Sequence, residues 1–182
     1  MIKEDFSTIV RKVRIFSGII LFAYVIMHLL NHSVNLFSID AADAIRINYF
    51  RPIWQNPVGL FLLYGSLFAH LILGFASILN RKSFKMKGKD WIQIVFPVLA
   101  LLFLAQHIAI SFIITKIFGG EETYSLFFAA MNTEKPSDLI MGAIFFSLMT
   151  IFIWGHGVIG LDAYLKQQAV HHNRFTFYLR YP

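Results

Sequence analysis

Histidine is the residue type whose placement in this chain most directly suggests chemistry. Four long apolar segments contain no Asp, Glu, Lys or Arg, yet each holds at least one histidine. An ionisable ring in hydrocarbon is costly unless a partner satisfies it, so such a residue marks a functional site by default. The segments are residues 15–37 with His28 and His32, 57–79 with His70, 91–115 with His107, and 139–161 with His156.

The four segments have the length and composition of transmembrane helices. Hydrophobic residues make up 57% of the chain, which is above the average for soluble domains. Each segment is 23 to 25 residues long, and about 20 helical residues cross the hydrocarbon core. The segments show no alternation of polar and apolar residues and are too long for barrel strands. We therefore predict an all-α, polytopic four-helix bundle in a lipid bilayer, with residues 1–182 as one membrane domain.

The charges outside the segments predict the orientation. Residues 1–14, 80–90 and 162–182 hold 12 of the 16 Lys and Arg, whereas residues 38–56 and 116–138 hold 4 of them with 6 of the 10 acids. By the positive-inside rule both termini face the cytoplasm, with residues 162–182 as a cytoplasmic tail. The basic run at residues 81–89 is interpreted as an anchor on anionic lipid, with a docking patch for a partner as the alternative. No nucleic-acid partner is expected.

Imidazole in a membrane span points to haem. It is the usual axial ligand of haem iron. The chain has no cysteine, so it can neither hold an iron–sulfur cluster by thiolates nor attach haem covalently. The hypothesis is therefore two b-type haems held by histidines.

Depth along the helices predicts which histidines share an iron. At about 1.5 Å per residue, His28 and His107 lie ~20 and ~24 Å from the inner ends of their spans. His70 and His156 lie ~20 and ~26 Å from the outer ends of theirs. The predicted ligand pairs are therefore an outer pair, His28 with His107, and an inner pair, His70 with His156.

Several polar residues near these ligands have more than one interpretation. His32 shares the face of His28 one turn farther out, so it is either an alternative ligand or a partner for a haem propionate, and Asn31 could join it. The other polar groups that could contact a propionate or a quinone are Tyr24, Tyr64 and Gln106. Glycines near the ligands permit close approach of either a backbone or a flat macrocycle: Gly18, Gly65, Gly74, Gly157 and Gly160. His171 and His172 are expected to be solvated.

The two outer connections also carry signals. Residues 48–54 suit a short interfacial helix at the headgroups. Gly119-Gly120 should end the third span, and residues 136–138 (Pro-Ser-Asp) should begin the fourth. Between them, the apolar stretch Ser125–Met131 is expected to cap the outer side of the bundle.

The motifs occur in an order that resembles a known family. Ser17-Gly18 is followed ten residues later by His28, the next two spans each hold one histidine, and residues 156–161 read His-Gly-Val-Ile-Gly-Leu. This combination resembles the dihaem cytochrome b anchors of the succinate dehydrogenase and fumarate reductase superfamily. The resemblance covers all four spans, and it implies the same ligand pairs together with a quinone or quinol as small-molecule partner.

Three further strings resemble a narrower group. They are residues 27–32 (Met-His-Leu-Leu-Asn-His), 56–65 (Asn-Pro-Val-Gly-Leu-Phe-Leu-Leu-Tyr-Gly) and 119–124 (Gly-Gly-Glu-Glu-Thr-Tyr). They look like the N-terminal membrane region of bacterial class III adenylyl cyclases, which precedes a cytoplasmic effector and sometimes a ferredoxin-like module. The chain departs from that pattern because it contains no cyclase or ferredoxin segment. Residues 175–182 look like the approach to another helix, so we expect a bundle truncated from a larger membrane domain.

Three classes of function follow. The first is redox or quinone-linked input to a fused adenylate cyclase; the second is an electron-transfer anchor for flavoprotein and iron–sulfur subunits. The third is a haem-free histidine transporter or relay. The chain has no phosphate loop and no acidic metal cluster, so it is not expected to be catalytic alone. A homodimer is a further assembly that the sequence allows.

Overall fold

The computed structural model describes residues 6–83, 85–118, 123–125 and 136–180. All regular structure in these ranges is helical, and no strand occurs in them. The elements in chain order are α1 (Phe6–Val34), α2 (Ile39–Ile45), a π-helical turn (Arg46–Phe50), α3 (Arg51–Trp54), α4 (Pro57–Leu79), α5 (Gly88–Phe118) and α6 (Pro136–Arg180).

Four of these helices are long and apolar enough to cross a membrane, as predicted. The qualifying stretches are Phe6–Val34, Pro57–Leu79, Gly88–Ile113 and Ile140–Gln168. Large apolar side chains cover their outer faces: Phe61 is 76% exposed and Leu79 is 82% exposed. Exposed apolar surface on this scale is unfavourable in water and suits contact with lipid. These properties are those of a multi-pass membrane protein.

The first spanning helix ends earlier than the apolar segment that predicted it. Its backbone tightens after Val34, where the amide of Asn35 donates to the carbonyl of His32 at 3.1 Å and that of Phe37 to Val34 at 2.9 Å. Such three-residue steps are typical of helix C-termini. The chain then turns at Ser38, whose hydroxyl accepts from the Ala41 amide at 3.2 Å and caps α2. Residues 35–37 therefore belong to a turn, although they are as apolar as the helix before them.

The segment from α2 to α3 forms one irregular helical connection rather than only the short helix expected at residues 48–54. Its π-helical turn rotates the chain so that Phe50 and Trp54 are buried. Trp54 donates from Nε1 to the sulfur of Met27 at 3.4 Å, and its ring meets that of Tyr24 edge-on with centres 5.3 Å apart. The connection is therefore packed against α1.

An Asn-Pro pair sets the direction of α4. The Oδ1 of Asn56 accepts from the amides of Val58 at 2.9 Å and Gly59 at 3.0 Å, and Pro57 occupies the first helical position. Both features are favourable helix starts, because they satisfy or remove unpaired amides. A side chain at Gly59 would collide with the backbone of Ile53 and Trp54. Only glycine lets α4 leave α3 so closely.

The four long helices pack as two pairs. Helix α1 lies along α4, and α5 lies along α6. Between the two pairs, close backbone approach occurs mainly where α1 meets α6. At that contact the ring of Phe22 packs against Gly157 and lies 5.2 Å from the ring of Trp154. The backbones of the other helices in the two pairs do not approach each other closely.

Polar contacts fasten α5 to α6 at the predicted inner side. Lys89 at the start of α5 and Lys166 on α6 donate to the carboxylate of Asp162 at 2.6 and 2.9 Å. All three side chains are well exposed, so the direct contribution of the ion pairs to stability is small. Their position marks where α6 leaves the apolar part of the structure.

Candidate functional site

The histidines of the four spanning helices lie in two pairs. In the outer pair, the ring centres of His28 and His107 are 6.0 Å apart. In the inner pair, those of His70 and His156 are 6.1 Å apart. The structure thus brings together the same residues that depth grouped, while their role as ligands stays a prediction.

Both histidine pairs cross the boundary between the two helix pairs. His28 and His70 belong to α1 and α4, and His107 and His156 belong to α5 and α6. The backbones of α1 and α5, and those of α4 and α6, are not among the closely packed ones. The imidazoles therefore reach toward each other across space that the backbones leave open.

The inner pair is built on three helices. The Nδ1 atom of His70 lies 3.1 Å from the carbonyl oxygen of Arg14 and 3.3 Å from the hydroxyl of Ser17, both on α1. The side chain of Gln93 donates to the backbone carbonyl of His156 at 3.4 Å. The Nδ1 atom of His156 is buried and has no hydrogen-bond partner among the described residues. The two inner imidazoles thus have different surroundings.

The outer pair lies in an aromatic environment. The ring of His28 stacks on Tyr24 with centres 5.5 Å apart and lies 5.9 Å from the ring of Phe50. On the other side, the ring of His107 lies 6.0 Å from that of Phe146. These rings come from three separate elements and give the two imidazoles aromatic neighbours on both sides.

His32 is in direct contact with the outer pair. Its Nε2 lies 3.0 Å from the Nε2 of His28, which is hydrogen-bond distance. One of the two nitrogens must therefore carry the proton and the other accept it. Because Nε2 of His28 is also an atom that could bind a metal, metal binding there would require His32 to give up this contact.

Tyr124 covers His32 and Asn31 from the connection between α5 and α6. Its hydroxyl accepts from the Nδ2 of Asn31 at 3.0 Å, and its ring centre is 5.0 Å from that of His32. Asn31 is only 5% exposed, and its Oδ1 has no hydrogen-bond partner within the described part of the chain. The role of Asn31 beside His32 stays a prediction. Its buried Oδ1 is an acceptor to which a ligand could donate a hydrogen bond.

Asp43 fixes Tyr124 in place. Its carboxylate accepts from the amide of Tyr124 at 2.6 Å, and from the amide and hydroxyl of Ser125 at 3.1 and 2.6 Å. The residues expected to cap the outer side begin at this point, but residues 126–131 lie outside the described structure. The contacts of Tyr124 and Asp43 were not predicted: Tyr124 was noted only as the end of the string at residues 119–124, and Asp43 was assigned no role.

The remaining predicted residues lie apart from these contacts. Tyr64 is 48% exposed, and Gln106 is also exposed. Gly18 faces the ring of His70, and Gly157 faces Phe22. A side chain at Gly65, Gly74 or Gly160 would meet no atom within 4 Å among the described residues. The side chains of His171 and His172, and residues 119–120, lie outside the described part of the structure.

The separation within each pair suits a single metal between two imidazoles. An imidazole nitrogen lies about 2 Å from a bound transition metal and about 1 Å from its own ring centre, so two opposed ligand rings have centres about 6 Å apart. Both observed separations fit that value. Among the described residues no group of three or more His, Asp or Glu side chains could hold a metal ion. Two imidazoles at this separation are compatible with the ligands of a haem iron, and their role as ligands stays a prediction.

Fold and site together define a multi-pass helical membrane protein with two histidine pairs between its helices. No protein-family model, no curated protein and no solved structure matches this chain.

Proposed function

We propose that this chain binds two b-type haems, one at each histidine pair, and carries electrons across the membrane. The observation that supports the proposal most strongly is the pairing itself. Two separate pairs, each formed by helices from opposite sides of the structure, have ring separations of 6.0 and 6.1 Å. Histidines that serve only packing have no physical reason to meet twice at this distance.

The surroundings of the pairs support the same proposal. A b-type haem is flat and largely apolar, and it needs two axial ligands and a water-free pocket. Aromatic side chains lie near both histidine pairs: Phe22 packs against Trp154 across the two helix pairs, and Phe96 and Phe103 pack against Phe152 within the α5–α6 pair. These apolar rings are the kind of surroundings that a haem requires.

In this mechanism the chain supplies ligation, orientation and exclusion of water. His28 and His107 would hold the outer iron, and His70 and His156 the inner one. When bound, the two haems supply carriers that each accept and release one electron. His32 and Tyr124 lie at the outer site, where a proton or a propionate can be hydrogen-bonded. No acidic residue lies in the apolar segments to take up a proton from quinol, so histidine is the titratable group available there.

We propose that the two haems give redox or quinone-linked input to a fused cytoplasmic adenylate cyclase. This step rests on the resemblance of residues 27–32, 56–65 and 119–124 to cyclase membrane regions. It takes both termini as cytoplasmic, in line with the charge distribution, and the membrane as the bacterial inner membrane, in line with the resemblance. The alternative partner is a pair of flavoprotein and iron–sulfur subunits, for which the chain would be the quinone-linked membrane anchor.

One contact favours a second candidate function. The 3.0 Å approach of His32 and His28 is a hydrogen bond between two imidazoles inside a spanning helix. Such a pair can pass a proton without any metal. A haem-free proton relay at the outer side is therefore the competing proposal.

The optical spectrum of the purified protein decides between these candidates. We expect protein from haem-replete cells to be red, with reduced-minus-oxidised bands of low-spin b-type haem and two haems per chain in a pyridine haemochromogen assay. Acid and organic solvent should extract both haems, because there is no cysteine for covalent attachment. A colourless protein that is otherwise folded would favour the proton relay.

The effect of haem redox state on cyclase activity is tested with the intact natural protein or with this region fused to a cyclase domain. If haem redox state biases the helices that lead to the cytoplasm, dithionite-reduced and air-oxidised protein should differ in cyclase rate. The same comparison after replacement of His70 and His156 by alanine serves as the control, because it removes the inner haem ligands. Equal rates in both redox states, with both haems present, would favour the respiratory anchor.

A further inference from the structure

The two imidazoles of the inner pair differ in the hydrogen-bond partners of their Nδ1 atoms. His70 has two polar atoms of α1 at its Nδ1, whereas the Nδ1 of His156 has no hydrogen-bond partner among the described residues. In metal sites the nitrogen that does not bind the metal usually donates to a carboxylate, a carbonyl or water, and this partner fixes the ring and raises its basicity. Only one inner histidine is supported in this way by the described residues.

The Arg14 carbonyl determines where the proton of His70 lies. A carbonyl oxygen can only accept a hydrogen bond. Because it lies 3.1 Å from Nδ1 of His70, that nitrogen carries the proton and donates it. The neutral ring therefore presents its lone pair at Nε2, which is the form a metal ligand requires.

Ser17 supports the same arrangement. Its side chain is 5% exposed, and its hydroxyl donates to the Arg14 carbonyl at 3.0 Å. With its proton used in that bond, the hydroxyl oxygen can accept from Nδ1 of His70, 3.3 Å away. The Nδ1–H group thus has two acceptors, both fixed to α1.

Gly18 supplies the space for this contact. A side-chain carbon at this position would lie 3.0 Å from Cε1 and 3.3 Å from Nδ1 of His70. These distances are shorter than ordinary van der Waals contacts, so the ring would have to shift by a few tenths of an ångström away from α1. Glycine is the residue that lets the imidazole lie directly against the helix backbone.

We propose that residues 14–18 of α1 form a positioning site for His70 that lowers the reduction potential of the inner haem. By accepting from Nδ1–H, the site makes His70 a stronger electron donor, and a stronger donor favours ferric over ferrous iron. The inference rests on the proposed function and deepens it, because it assigns to α1 a role at a haem that α1 does not ligate.

The test is a redox titration of the purified protein with both haems bound. Gly18→Ala pushes the His70 ring from its acceptors, so we expect the inner haem to be more easily reduced and the outer haem to be unchanged. The ferrous-to-ferric ratio of the inner haem at fixed ambient potential should rise several-fold; a tenfold change corresponds to about 59 mV. Gly142→Ala is the matched control, because a side chain there meets no described atom within 4 Å.

Ser17→Ala tests the same site without adding bulk. It removes one of the two acceptors, so the potential should shift in the same direction by a smaller factor. Ser33→Ala is its control: Ser33 donates to the carbonyl three residues earlier on the same helix, at 2.7 Å, but it is exposed and faces no histidine of the inner pair. The low-spin electron paramagnetic resonance signal of the inner haem should change in Gly18→Ala and in Ser17→Ala, and in neither control.

The outcomes separate the inference from the proposed function. Unchanged inner potentials in both variants with two haems bound would overturn the positioning site and leave the dihaem proposal standing. Equal shifts of both haems would also overturn it, because they would indicate a general structural effect. If Gly18→Ala lost the inner haem, Ser17→Ala would decide, because it adds no bulk: a raised inner potential there would support the site and an unchanged one would overturn it. A wild-type protein without haem would overturn both.

Discussion

Replacement of either inner histidine is expected to halve the haem content. His70→Ala and His156→Ala should each leave one haem per chain, and the haem that remains should be the same in both variants. The physical reason is that a single axial imidazole holds a low-spin iron poorly, so loss of either ligand releases the same haem. Haem per chain from the pyridine haemochromogen assay and a redox titration of the remaining haem would measure this.

The matched control for the inner pair is Phe61→Leu on the same helix as His70. Phe61 is 76% exposed, so two haems with unchanged potentials are expected. Variants of His70 and His156 that retain different haems would show that the two residues ligate different irons. Such a result would contradict the pairing and also the reasoning from depth.

The outer pair should respond to His28 and His107 but not to His32. We expect His28→Ala and His107→Ala each to remove the outer haem, because their rings are 6.0 Å apart across the two helix pairs. His32→Ala should keep two six-coordinate haems, since His32 approaches the outer pair through His28. The size of the Soret band and the number of redox steps distinguish the three variants.

The His32 variant also tests whether His28 or His32 is the ligand of the outer haem. If His32→Ala lost the outer haem while His28→Ala kept a six-coordinate spectrum, His32 would be the ligand and His28 its partner. Asn31→Ala is a useful comparison, because it removes the contact to Tyr124 without removing an imidazole. It should retain both haems.

The pairing of the histidines could be predicted from the sequence because it depends only on the lengths of the apolar segments and on the helical rise per residue. The length of each apolar segment fixes where a helix crosses the membrane, and the rise per residue fixes the depth of a residue on it. The bounds of α4 follow directly from its Asn-Pro start and its apolar length. The end of α1 did not follow, because the turn after Val34 uses residues as apolar as those of the helix.

The surroundings of the histidines could not be anticipated in the same way. The acceptor for His70 is a backbone carbonyl, which every residue has and no sequence pattern distinguishes. The contacts from Asp43 to Tyr124 and from Asn31 to Tyr124 join residues far apart in sequence. Which residues meet across such distances depends on the rotation of each helix and on the path of the connections. Composition and periodicity do not contain that information.

Helix α6 has a mechanical consequence. It is continuous from Pro136 to Arg180 and passes Asp162, where Lys89 and Lys166 meet its carboxylate. About 36 Å of helix separate His156 from Arg180 at about 1.5 Å per residue. A rigid helix of this length that pivots at His156 acts as a lever. A tilt of only about 5° around His156 would displace the far end by about 3 Å, over the same length of helix. A small tilt among the spanning helices would thus become a larger displacement at Arg180.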